Sequence, residues 1–219
     1  MRTLAILLLL VSTACTTAQL DLPADSYSVQ GSNPRRWNGP ISFGPYRTEV
    51  VNEGTRRSWL ADLDVLQIGR ADQGYHLRLN DVAVECHTRE FALGRSGVFV
   101  DPTFGTSPLL VCGYDEAGRR SVLTMSRTGR PEPSLRGQLR NAEGATLEVR
   151  SLHRPSGAAI ASGEPWGYEV VRDGTRVAIV ETVNRGRVWM DPASADRETL
   201  AAVAASLLLF RDPDAGDDA

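Results

Sequence analysis

Near the C-terminus, Leu200 to Phe210 is an eleven-residue run in which Ser206 is the only polar side chain. Asp191-Pro192 or Ser194 can cap a helix start there, and Asp196 and Glu198 put acids in the first turn, where they offset the positive end of the helix dipole. The predicted helix has no polar face, so it has to be surrounded. A bilayer cannot surround it, because eleven residues rise only about 16 Å against the ~30 Å of a hydrocarbon core. Enclosure by the rest of the chain remains. Ala201, Ala202, Ala204 and Ala205 suit it, because small side chains let neighbours approach closely from every side.

The material available for that enclosure is β-like. Between Trp37 and about Asp191, short apolar or alternating runs are separated by Gly, Pro, Asn or Asp: Ile41 to Val51, Trp59 to Ile68, Tyr75 to Leu79, Val82 to Cys86, Val98 to Val100, Leu109 to Tyr114 and Val122 to Met125. Leu135 to Leu139, Ala145 to Leu152, Tyr168 to Val171, Val177 to Thr182 and Arg187 to Met190 continue the series. Tyr75-His76-Leu77-Arg78-Leu79 alternates apolar and polar as a half-buried antiparallel strand does. Asp173-Gly174 and Asn184-Arg185-Gly186 are turn sequences whose residues accept positive φ, so Trp166 to Met190 predicts a three-stranded meander. The expected fold is mainly β: a closed antiparallel barrel or sandwich of ten to twelve short strands around a buried C-terminal helix. No composition break divides residues 37–210, which are read as one domain. Residues 211–219 form an acidic, frayed tail.

The N-terminus reads as an address. Arg2 is followed by an apolar run from Leu4 to Val11 and by the small residues Ser12-Thr13-Ala14 before Cys15, the three-part layout of a secretory signal peptide over residues 1–14. Eight apolar residues are too few to span a bilayer. A run ending in small-small-Cys resembles the lipobox of bacterial lipoproteins. That resemblance implies a mature chain beginning at Cys15 with acyl chains attached, and Thr16 after it resembles the outer-membrane sorting type. Cleavage after Ala18, giving a soluble periplasmic or secreted protein, is the alternative. Residues 15–36 are polar and without apolar period, the pattern of a flexible tether with a span of roughly 25 Å.

Many antiparallel strands closed by one buried C-terminal helix resemble, in architecture only, the barrel of the tubby C-terminal domain and of LURP-one and phospholipid-scramblase proteins. The resemblance implies a membrane-proximal role. Members of that family use lysine and arginine clusters on lipid headgroups, whereas here all 24 basic residues are arginine, dispersed apart from doublets such as Arg35-Arg36, Arg56-Arg57 and Arg119-Arg120.

The absence of lysine removes pyridoxal aldimine chemistry, the Walker phosphate loop and the Ser-x-x-Lys acylation pair. A net charge of −3 offers no electrostatic footprint for nucleic acid or for an anionic membrane surface. Cys86 and Cys112 remain as an even pair in an exported chain and are expected to form a disulfide. A Cys86-His87 nucleophile and base is excluded, because adjacent strand residues point to opposite faces. His76, His87 and His153 lie in separate segments without ligand spacing, so no metal or cofactor is expected. Gly94-Arg95-Ser96-Gly97 has the wrong spacing for a nucleophile elbow, and no catalytic residue is assigned. Asp62, Asp64, Glu169 and Glu181 are read as solvated, Trp189 as core and His76 as exposed. Trp166, beside Pro165 and Gly167, is the exposed aromatic candidate for ligand binding. The expectation is a non-enzymatic, lipid-anchored envelope protein, in the outer membrane facing the periplasm, with a binding role toward a lipid, glycan or protein partner or a structural role. A periplasmic hydrolase with a carboxylate or serine site assembled by the fold is the second class.

Overall fold

The computed structural model describes residues 18–31, 40–53, 68–69, 73–88, 92–93, 109–128 and 134–210. In chain order the strands are β1 (Tyr27–Ser28), β2 (Ser42–Phe43), β3 (Tyr46–Glu53), β4 (Ile68–Gly69), β5 (Gln73–Leu79), β6 (Val82–Thr88) and β7 (Ala92–Leu93). They continue as β8 (Leu110–Glu116), β9 (Arg119–Thr128), β10 (Ser134–Arg140), β11 (Thr146–Leu152), β12 (Gly167–Arg172), β13 (Thr175–Glu181) and β14 (Arg187–Met190), followed by α1 (Arg197–Leu209). Twelve of them form one antiparallel sheet in the order β1-β14-β13-β12-β11-β10-β9-β8-β6-β5-β3-β2, while β4 and β7 pair separately. The sheet curls until its two edges meet. Gln30, two residues past β1, exchanges backbone hydrogen bonds of 2.8 and 2.9 Å with Ser42 of β2. The result is a nearly closed barrel.

The helix lies inside it. Every residue from Thr199 to Leu209 is buried, and α1 packs on β5, β6, β8, β13 and β14, strands drawn from both halves of the sheet order. The single polar side chain of the run is satisfied within the helix, Ser206 Oγ donating to the Ala202 carbonyl at 2.9 Å. The Ser206 carbonyl accepts the Phe210 N–H at 2.9 Å and the buried Tyr75 hydroxyl at 2.8 Å, which ties the last turn to β5. Leu79, Leu110, Leu123, Met125, Leu139 and Leu147 pack the interior around the helix.

The two ends of the barrel differ. The tight turns at Asn80-Asp81, Ala117-Gly118, Asn141–Gly144 and Asp173-Gly174 cluster with the start of α1, where Arg172 pairs with Asp196 and the Asn80 amide donates to Glu198 at 3.4 Å. Asp173 and Gly174 both take positive φ (49° and 79°), as the hairpin reading requires. The opposite end carries the longer connections and the C-terminus of α1.

The structure changes several expectations. Ile41 to Val51 is two strands, because Gly44 at φ 54° and Pro45 turn the chain between β2 and β3. The helix begins at Arg197, after Asp191-Pro192 and Ser194. Asp196 stands at its N-cap without a side-chain cap hydrogen bond, its carboxylate being engaged by Arg172. β9 runs to Arg119 and Thr128, past its apolar centre, because ladder hydrogen bonds do not require apolar side chains. Residues 18–30 are not a free tether: Leu20 and Val29 are buried and β1 pairs with β14. Their sequence lacks an apolar period because they use backbone groups and two isolated anchors. The expected signal peptide at residues 1–14, the run Val98 to Val100, all but Ile68 of the run Trp59 to Ile68, and residues 211–219 lie outside the described residues.

Ala205 is fully buried in α1. Ala205→Arg should therefore destabilise the barrel by about 4 kcal/mol or more, through overpacking and an unpaired buried charge. Thermal melts of protein lacking residues 1–17 check this, and an unchanged melting temperature would contradict enclosure of the helix.

Candidate functional site

Three polar groupings stand out around the barrel, two of them at the end with the long connections. The first fastens the N-terminal segment to the outside of the sheet. Glu181, at the end of β13, has a side chain 1% exposed, yet one carboxylate oxygen accepts the Leu20 N–H at 3.0 Å and the other accepts from the Arg187 guanidinium. Arg187 also donates to the Leu20 carbonyl at 2.8 Å. The backbone of one residue is thus held on both sides by an ion pair that shares its charge-assisted hydrogen bonds with it. Asn184 Nδ2 donates to the Ala18 carbonyl at 3.0 Å and the Ser156 N–H to the Gln19 carbonyl at 2.7 Å. Close approach demands Gly167 beneath this strap, because a Cβ there would stand 2.8 Å from Leu20 Cδ1 and 2.1 Å from the Val180 carbonyl oxygen. Residues 18–20 are consequently bound to β12, β13, β14 and the loop after β11.

The second grouping is Ser151, His153 and Ser162. Ser151 lies near the end of β11 and His153 one residue past it. Ser151 Oγ lies 2.8 Å from His153 Nε2, and His153 Nδ1 lies 3.1 Å from the Ser162 carbonyl oxygen. A proton on Nδ1, donated to that carbonyl, leaves Nε2 as acceptor for the Ser151 hydroxyl. The order of hydrogen bonds is the one a hydroxyl, a base and an orienting acceptor have in nucleophilic catalysis. Ser151 Oγ also accepts the Leu135 N–H at 2.8 Å, and the Ser162 N–H donates to the His153 carbonyl at 2.7 Å. Those bonds make the same residues a clasp closing residues 153–162. Sequence reasoning missed them, because His153 lies one residue past the predicted strand Ala145 to Leu152 and Ser162 nine residues further on.

The third grouping lies on the outer face of β6. His87 Nε2 is 3.2 Å from Glu85 Oε1, and burial pushes the His87 pKa below its usual value. His76 on β5 sits opposite Glu85 in register and is half-buried, not exposed. Register thus places His76 opposite Glu85, the hydrogen-bond partner of His87. Among the described residues no set of three His, Cys, Asp or Glu side chains is placed to hold a metal. Cys86, one residue away, faces the interior and is joined to Cys112 in a disulfide between directly opposed positions of β6 and β8, Cα to Cα 4.1 Å. Closing a loop of 26 residues adds about 3 kcal/mol through the unfolded chain.

The remaining sequence candidates separate. Trp189 is half-buried and sits between the buried Val188 and Met190, so strand alternation turns it away from the core in which it was expected. Trp166 is half-buried rather than exposed; its backbone N–H bonds the Leu152 carbonyl and its own carbonyl takes the Thr182 N–H. Glu169 pairs with Arg176 at 2.8 Å. Glu181 is buried, not solvated, because Arg187 and Leu20 replace its water. The two carboxylates thus have separate arginine partners. Asp62, Asp64, Trp37, Trp59, residues 94–97 and Cys15 lie outside the described residues. No protein-family model, curated protein or solved structure matches the chain.

Removal of the Glu181 carboxylate should release the strap. Glu181→Ala leaves the Leu20 N–H and Arg187 without their buried partner, at a cost of about 3 kcal/mol. Denaturant melts should show that loss, and the Leu20 amide should lose most of its protection from hydrogen exchange. Retained protection would mean that other contacts hold the strap.

Proposed function

We propose that this chain is an exported envelope protein, anchored by acyl chains on Cys15, whose barrel is a non-enzymatic binding or structural module. The proposed location is the outer membrane, facing the periplasm, and the proposed partners are a lipid, a glycan or an envelope protein. The observation that carries this reading is the docking of Ala18 itself. Ala18 is already hydrogen-bonded to Asn184. Cleavage after Ala18 would cut the chain between two docked residues and remove that bond, whereas maturation at Cys15 leaves the docked segment whole. The tubby-like resemblance belongs to the proposal as architecture only, with membrane proximity as the property the two would share. Among the described residues no helix is long and apolar enough to cross a membrane.

Protein extracted from membranes should have an intact mass corresponding to a chain starting at Cys15 plus acyl groups. A soluble product starting at Gln19 would overturn the anchor.

A second reading rests on the Ser151–His153 geometry, which supports a hydrolase with a serine nucleophile. In that case a fluorophosphonate probe should label the folded protein at Ser151, and Ser151→Ala should abolish the labelling. The clasp role instead predicts no labelling and a loss of about 1 kcal/mol of stability in Ser151→Ala.

A further inference from the structure

The connection from β11 to β12 contains an uncharged stretch, Gly157-Ala158-Ala159-Ile160-Ala161. Within it Ile160 is 83% exposed, the one large hydrophobic side chain left so open among the described residues. The tip is held in place from behind. His153 and Ser162 clasp its base, and the Ala158 N–H bonds the Pro155 carbonyl at 3.2 Å. The Ser156 N–H, inside the same loop, bonds the Gln19 carbonyl at 2.7 Å.

That last bond fixes the loop beside the N-terminal strap. Gln19 is four residues from Cys15, a distance that even fully extended chain covers in at most ~14 Å. An acylated Cys15 therefore brings this end of the barrel to the lipid surface, with Ile160 on the loop bonded directly to the strap. We infer that residues 157–161 form a membrane-contacting tip that seats Ile160 in the interfacial layer of the bilayer holding the Cys15 acyl chains; this rests on the proposed lipid anchor. Exposed charges near the tip and strap are of both signs, Arg154 and Arg185 against Glu164 and Asp21. The contact is accordingly apolar, and added salt leaves it in place.

The test uses full-length acylated protein in vesicles of phosphatidylethanolamine and phosphatidylglycerol. Cys86 and Cys112 are bridged and Cys15 is acylated, so Ile160→Cys provides a single reactive thiol for a nitroxide label. Ala142→Cys, in the exposed turn between β10 and β11 at the far end, is the reference. Neither substitution touches the core. The expected result is a label at 160 more accessible to oxygen than to a water-soluble nickel chelate, the reverse at 142, and no change at 160 on raising the salt. An acylated protein whose label at 160 is as open to the chelate as that at 142 overturns the tip and leaves the anchor standing. So does a label at 160 that is shielded from both reagents only when another envelope protein is added. A mass without acyl groups overturns anchor and tip together.

Discussion

A helix with no polar side has one requirement, that apolar neighbours meet it all the way round, and the architecture follows from that requirement. A flat sheet covers one side of a helix only. Wrapping the sheet until β1 and β2 meet brings strands from both halves of the order against α1, and the alanines at 201, 202, 204 and 205 allow that approach. The interior is then occupied by protein, with Tyr75 reaching through it to the last turn of the helix.

The surface that the structure elaborates is the end away from the tight turns. Glu181 and Arg187 illustrate how a buried ion pair becomes useful. Alone, such a pair barely offsets its desolvation. Here its spare hydrogen-bonding capacity is spent on the backbone of Leu20, so the pair specifies where the N-terminal segment runs. The clasp of Ser151, His153 and Ser162 then shapes the adjoining loop, and Ser156 joins loop and strap.

What could be read in the sequence divides along physical lines. The strands and the helix were legible because alternation and an unbroken apolar run are periodic signals, as at Tyr75 to Leu79 and Leu200 to Phe210. The disulfide was legible because an even pair of cysteines in a chain read as exported has few alternatives, though the register that sets Cys86 against Cys112 was not. Leu20 gave no signal, since its hydrogen bonds go to side chains 161 and 167 residues away. Trp189 was misplaced because one apolar neighbour on each side of it suggested a core strand, whereas strict alternation puts only Val188 and Met190 inside. The Ser151–His153 pair was not legible because His153 lies just past the strand, where its ring is placed by the hydrogen bond to the Ser162 carbonyl.

The pairing of β1 with β14 has a consequence for the order of events when the protein is made. Tyr27 emerges early and Val188, its partner in register, emerges near the end. Neighbouring hairpins such as β8–β9 and β12–β13 can form as they appear, but the seam and the strap have nothing to join until the last strands are present. Contacts of such sequence separation make closure slow and leave the edges of an unfinished sheet open to mispairing. The barrel therefore completes itself only when β1 and β14 are available together, and β1 stays without its strand partner until then.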